Sequence, residues 1–173
     1  HPIDNENLFA GGMAVQRAVS DDWQAITGVP ITQGYGLTET SPVVSANPFA
    51  VGEFNGSVGL PLPSTEVAII GDNDELLPIG EVGEIGVRGP QVMAGYWQQP
   101  DATAEIMFGD GWLRTGDVGR MNEQGFIFIE DRLKDLIIVS GFNVYPAEIE
   151  AVVASHSGVV EAAAIGVPDE GSG

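Results

Sequence analysis

The stretch Val29–Thr40, V-P-I-T-Q-G-Y-G-L-T-E-T, decides how the chain is read. Its opening, Val29 to Thr32, has the apolar and β-branched character of a short strand, which runs into a glycine-rich turn. There Gly34 and Gly36 flank Tyr35, and Thr38 and Glu39 follow closely. Glycine weakens helix and strand alike, so backbone propensity does not account for this order. Ligand chemistry offers one account. Free backbone lets a ligand come close, and the Tyr35 ring offers a flat face to a purine. Thr38 offers a hydroxyl to a phosphate oxygen, and Glu39 offers the hard oxygen that Mg²⁺ prefers. The competing reading is a tight turn around a core tyrosine, and the segment alone leaves the two evenly balanced.

Working outward, the apolar residues Val15, Ala18, Val19, Trp23 and Ile26 recur at helical spacing, which predicts a helix over Ala14–Thr27 stopped by Gly28. Just before it, Gly11-Gly12-Met13 either lays backbone flat against a ring opposite Tyr35 or merely starts the helix. From Thr40 to Ser64 prolines and glycines are too dense for regular structure, and an extended loop is expected. The period then changes to two. Glu66–Ile70, Glu84–Arg88, Gly125–Glu130 and Leu136–Val139 read as strands, with a short helix over Asp101–Met107 between them. This middle part predicts a small antiparallel sheet or barrel. After the charged "DRLKD" at 131–135 the pattern becomes strand, turn, helix, strand. Pro146 suits a helix start, and "VVEAAAIGV" at 159–167 reads as a buried strand. Such a βαβ opening is too short to bury its own faces, so the last domain looks truncated.

Asp117 follows an apolar strand and a glycine turn in "WLRTGD". Its carboxylate either accepts hydrogen bonds from both ribose hydroxyls or closes a local turn. Arg132 either reaches the same sugar or forms a surface ion pair. Lys134 is the only lysine in the chain, so any lysine that grips phosphate must be Lys134 or be missing. No serine/threonine/glycine-rich loop with a lysine is present. A complete nucleotidyl-transfer site is therefore not encoded in these residues.

Composition removes other functions. The 173 residues carry 25 acidic and 6 basic side chains, a formal net charge of −19. That field repels nucleic acid and anionic lipid. With no cysteine, disulfides, zinc-thiolate sites and thiol nucleophiles are excluded. No apolar run approaches the ~18 residues of a membrane span, and no signal peptide is visible. A soluble, cytoplasmic protein is expected.

Taken in order, "GGM", "QGYGLTETSP", "GSVGLPLPSTEVAI", "GEVGEIGVRGPQVMAGYWQQPDAT", "GWLRTGDVG", "DRLKDLIIVSGFNVYPAEIE" and "VVEAAAIGVPDEGSG" resemble the motifs of adenylate-forming enzymes. The likeness is greatest to bacterial long-chain fatty-acid–CoA ligases and runs from about Leu8 onward. The resemblance implies an α/β (mixed) fragment with three parts. Residues 1–65 would end a nucleotide-binding α/β subdomain, 66–132 would form a small antiparallel β-rich subdomain, and 133–173 would begin an α+β C-terminal domain. It also implies roles. The ring of Tyr35, within Gly34–Gly36, stacks on adenine, with backbone at Gly11, Gly12 and Met13 on the other face. Thr38 contacts the α-phosphate, Glu39 binds Mg²⁺, and Asp117 and Arg132 hold the ribose. Lys134 is the hinge about which the C-terminal domain swings, and the loop around Gly141 lines the pantetheine tunnel for CoA. The implied substrates are a fatty acid, ATP and CoA. Acyl-AMP forms first, and the CoA thiol then displaces AMP. The resemblance also allows peripheral membrane contact in the longer protein. The family's phosphate loop, acyl tunnel and late lysine are missing here, so the chain reads as a segment straddling the hinge. The alternatives are a fatty acyl-AMP ligase and a nucleotide-binding module without turnover.

Overall fold

The computed structural model describes residues 8–12, 15–156 and 158–168. Strand β1 (Leu8–Ala10), helix α1 (Arg17–Thr27) and strand β2 (Ile31–Gly36) form a βαβ unit, with Leu8 opposite Ile31 and Ala10 opposite Gln33 in parallel register. Gly28 ends the helix as expected, in the left-handed region at φ 73°, its N–H donating to the Gln24 carbonyl at 2.8 Å. The helix begins at Arg17 rather than Ala14, which lies outside the described residues. Its buried contact is Ser20, whereas Val19 and Ile26 are 56% and 85% exposed. Helical spacing identified the element but not the face that meets the sheet.

The glycine-rich motif departs from expectation. It is not a turn after a strand, because β2 runs through Gly34 and Gly36. The reason is close approach. A Cβ at Gly34 would overlap the Phe9 ring, and one at Gly36 would overlap the Pro42 carbonyl oxygen. Only glycine admits β2 between its neighbours. The expected loop after Thr40 is also more structured. Strand β3 (Val43–Ala46) pairs antiparallel with β2, and β4 (Leu60–Pro61) pairs with β3. Between them side chains replace regular backbone pairing. Asn47 Nδ2 donates to the Ser57 carbonyl at 2.7 Å, and Asn55 Oδ1 accepts from the Ser57 N–H at 2.9 Å.

The middle of the chain forms the expected antiparallel sheet. Strand β5 (Glu66–Ile70) pairs with β6 (Gly83–Arg88), helix α2 (Pro100–Ile106) leads to β7 (Met107–Phe108), and β8 (Trp112–Met121) pairs with β6, β7 and β9 (Ile127–Arg132). The core draws on both sheets. Val44 and Val58 pack with Ile69, Ile85, Val87 and Ile127, and the Val58 N–H donates to the Ile127 carbonyl at 2.9 Å.

Gly59 tests that junction. It sits at φ 96°, and a Cβ there would overlap the backbone of Ala46 and Asn47. Gly80 has a similar φ of 95° but open space around it. Gly59→Ala is expected to destabilise the protein by about 3 kcal/mol or more, against ~1 kcal/mol for Gly80→Ala, which meets conformational strain alone. Denaturant midpoints of the two variants measure the difference, and equal shifts would refute the packing account of Gly59.

Beyond β9, a 3₁₀ turn (Leu133–Asp135) leads to a hairpin of β10 (Ile137–Val139) and β11 (Phe142–Val144), then α3 (Pro146–Ala154). The hairpin turn is Ser140-Gly141, at φ 51° and 84°, the paired positive values that suit two-residue hairpins. Pro146 opens α3 as expected. The buried strand expected over 159–167 is absent. That segment has no regular structure, and Val160 and Ile165 are 101% and 80% exposed. Among the described residues no strand runs beside it to complete its backbone pairing. No helix among the described residues is long and apolar enough to cross a membrane.

Candidate functional site

Strand β2, the turn after it, β8 and the end of β9 enclose a cavity of about 1060 Å³. Gly11, Gly12, Gly34, Tyr35, Gly36, Thr38, Glu39 and Arg132 all line it, although they are far apart in sequence. Asp117 lies behind this wall, 3% exposed. Its Oδ2 accepts the Tyr35 hydroxyl at 2.5 Å, and its Oδ1 accepts Arg132 Nε at 2.7 Å. Register explains the second contact, because Asp117 and Arg132 stand opposite each other on β8 and β9. Of the two readings of Arg132, the structure shows the ion pair, with Asp117 as its acid.

Asp117 is aimed by an irregularity in β8. The β6–β8 register shifts between Glu84 and Gly86, and Gly116 adopts φ 71°, as bulges that re-aim a side chain do. Glu84 pins that bulge. Its Oε1 accepts the Gly116 N–H at 2.9 Å and its Oε2 accepts Arg114 Nη1 at 2.5 Å. Burial pushes the Glu84 carboxyl above its ordinary range, the Gly116 N–H opposes this, and the charge of Asp117 adds to it. Burial, then the charge and hydrogen bond of Asp117, also push the Tyr35 phenol far up. Tyr35 therefore stays a neutral donor to Asp117.

Glu39 sits in a 3₁₀ turn, Thr38–Thr40. The buried Thr40 closes that turn, accepting the Leu37 N–H at 3.0 Å through its hydroxyl and donating to the Pro42 carbonyl at 2.8 Å. The Glu39 carbonyl accepts the Met93 N–H at 2.8 Å, and its Oε1 accepts the Tyr96 hydroxyl at 2.7 Å. That bond, followed by partial burial, raises the Tyr96 phenol above its ordinary value. Among the described residues no cluster of three or more histidines and acids could hold a metal by itself. The donor set still fits Mg²⁺, which commonly takes one or two carboxylates and completes its shell with water and substrate phosphates.

Not every candidate joins the cavity. Met13 lies outside the described residues. Lys134 is exposed and lines a different cavity of about 740 Å³, with Asp131, Leu136 and Ala147. Gly141 is exposed at the hairpin tip and lines neither. Conversely, Tyr96 and Glu84 line the cavity without having been singled out. Tyr96 lies 57 residues from Glu39, and no local spacing rule connects them.

This combination of βαβ unit, glycine-bearing strand and cavity agrees with a sequence comparison: the profile of AMP-binding enzymes matches residues 6–97. The chain belongs to the AMP-binding enzyme family. It is 56% identical over 163 residues to a long-chain-fatty-acid–CoA ligase of Yersinia pestis, a match covering 94% of this chain and 29% of the relative. A ligase of the same description from Bacillus subtilis (strain 168) is 45% identical, with 95% and 29% covered. The chain thus spans about 29% of the length of these curated relatives. Among solved structures, ATP-bound MatB from Rhodopseudomonas palustris superposes with a TM-score of 0.91 at 38% identity, covering 96% of this chain and 33% of that one. The o-succinylbenzoate CoA synthetase MenE of Bacillus subtilis, in complex with its acyl-adenylate intermediate, gives 0.89 at 36% identity, with 100% and 35% covered.

Proposed function

We propose that this chain is the nucleotide-holding segment of an ATP- and Mg²⁺-dependent long-chain fatty acyl-CoA synthetase. The observation that carries the reading is Asp117, buried behind the cavity wall and held by Tyr35 and Arg132, which line the cavity together with Thr38 and Glu39. Long-chain-fatty-acid–CoA ligase relatives and the ATP-bound structural neighbour support it.

In this reading the Tyr35 ring faces adenine, with backbone at Gly11 and Gly12 opposite and Gly34 and Gly36 leaving room for close approach. Asp117, oriented by its two donors, accepts hydrogen bonds from the ribose, and Arg132 donates beside it. The Thr38 hydroxyl meets the α-phosphate. Glu39 holds Mg²⁺, which when bound neutralises charge on the phosphates. The fatty acid's carboxylate oxygen forms a bond to the α-phosphorus as pyrophosphate leaves. The CoA sulfur then bonds to the acyl carbon as AMP leaves. Between the steps the part after residue 132 swings about Lys134 and carries the Gly141 loop to the CoA side. Residues 133–173 are the unit that moves in this reading, against 1–65 and 66–132, which share one core, and the cytoplasm, which supplies ATP and CoA, is the setting.

The full-length protein is expected to release pyrophosphate only with a long-chain fatty acid present and to form the thioester when CoA is added. Pyrophosphate release indifferent to the fatty acid would overturn the reading. The 173-residue chain alone is expected to make no acyl-CoA, since its single lysine lies in the connector and it has no phosphate loop. Thioester above a no-protein control would refute that.

A further inference from the structure

Glu39 is held to the segment that follows β6 by two bonds of different kinds. One is main-chain, from the Met93 N–H to the Glu39 carbonyl at 2.8 Å. The other is from the Tyr96 hydroxyl to Glu39 Oε1 at 2.7 Å. The first bond, with the Thr40 hydroxyl bridging Leu37 and Pro42, already holds the turn. The second therefore adds nothing the turn needs and acts on the carboxylate alone.

Tyr96 is itself fixed from the other side. Its N–H donates to Thr103 Oγ1 at 2.9 Å, and that hydroxyl donates to the Gln99 carbonyl at 2.9 Å. Gly95, at φ 145°, lies so close to Thr103 that a Cβ would crowd its side chain. The first turn of α2 thus sets where the phenol stands. The phenol sets which way the carboxylate faces.

We propose that Tyr96 is a positioning residue that holds Glu39 as a one-oxygen ligand for a divalent cation carried on the nucleotide phosphates. The inference rests on the reading of Glu39 given above. Oε1 is engaged by the phenol, and among the described residues no donor meets Oε2. A carboxylate rotating freely would lose side-chain entropy on binding the cation, and Tyr96 removes part of that loss before the cation arrives. The phenol also spares Glu39 from closing on the cation with both oxygens, the mode that suits the larger Ca²⁺ better than octahedral Mg²⁺.

The test uses the full-length protein with α,β-methylene-ATP and Mn²⁺, free Mn²⁺ being read by electron paramagnetic resonance. Tyr96→Phe keeps the ring and removes only the donor. The Mn²⁺ concentration for half-saturation is expected to rise about fivefold, the scale of one partly exposed hydrogen bond to a charged group. Binding of the nucleotide without metal, and the unfolding midpoint, are expected to stay unchanged. Unaltered Mn²⁺ affinity, or equal weakening of metal-free nucleotide binding, would overturn the positioning role. Glu39→Ala in the same assay separates the two claims. If it leaves Mn²⁺ affinity at the wild-type value, the reading of Glu39 itself fails. If it abolishes Mn²⁺ binding while Tyr96→Phe does nothing, only the role of Tyr96 fails.

Discussion

Asp117→Ala is expected to weaken ATP binding by the full-length protein about a hundredfold or more. Two effects combine. The proposed acceptor of the ribose hydroxyls is lost, and the Tyr35 hydroxyl and Arg132 are left without the partner they share. A hydrogen bond to a charged group contributes roughly 1.5–3 kcal/mol, so losing the two proposed ribose bonds corresponds to about a hundredfold or more. Tyr35→Phe removes one donor while Asp117 and Arg132 remain, so about a tenfold loss is expected. Calorimetric titration with ATP reads both variants, and thermal melts separate binding from folding. A folded Asp117→Ala protein with wild-type ATP affinity would eliminate the proposed ribose contact.

Lys134→Pro in the full-length protein is expected to divide the two half-reactions. Lys134 is exposed in the middle of the 3₁₀ turn between β9 and the β10–β11 hairpin, flanked by extended backbone at Arg132 (φ −88°, ψ 134°) and Leu136 (φ −58°, ψ 128°). Hinges are short connectors of this kind, where few residues absorb a change in φ and ψ. Proline fixes φ near −65° and restricts the residue before it, so the proposed swing would be blocked, while Lys134 itself lies outside the nucleotide cavity. Acyl-AMP formation is expected to change by less than about threefold and thioester formation to fall by at least about a hundredfold. Equal loss of both, or of neither, measured in one preparation, would refute the hinge.

Much of this was legible in the chain itself. The alternation in Glu66–Ile70 marked β5, the stop at Gly28 marked the end of α1, and Pro146 marked the start of α3. These signals are local, and local sterics decide them. The grouping of Tyr35, Thr38 and Glu39 was visible for the same reason, because one strand end and one 3₁₀ turn carry all three. Reading Gly34 and Gly36 as a turn failed because glycine in sequence signals freedom without saying what uses it. Here Phe9 and Pro42 do, by lying too close for any side chain.

Sequence by itself determined the classes of element, the lack of a cysteine nucleophile in this chain, the acidic field and the residue types a nucleotide would need. Tertiary structure alone decided which of those residues meet. Asp117 reaches Tyr35 across 82 residues and Tyr96 reaches Glu39 across 57. The bulge at Gly116 precedes Asp117, which stands behind the cavity wall with its oxygens on Tyr35 and Arg132, and the fold leaves Lys134 and Gly141 outside the cavity. The physical reason is range. Periodicity and capping act over a few residues, whereas contacts between distant strands follow from register and from the packing of Val44 and Val58 against the second sheet, which no stretch of sequence contains.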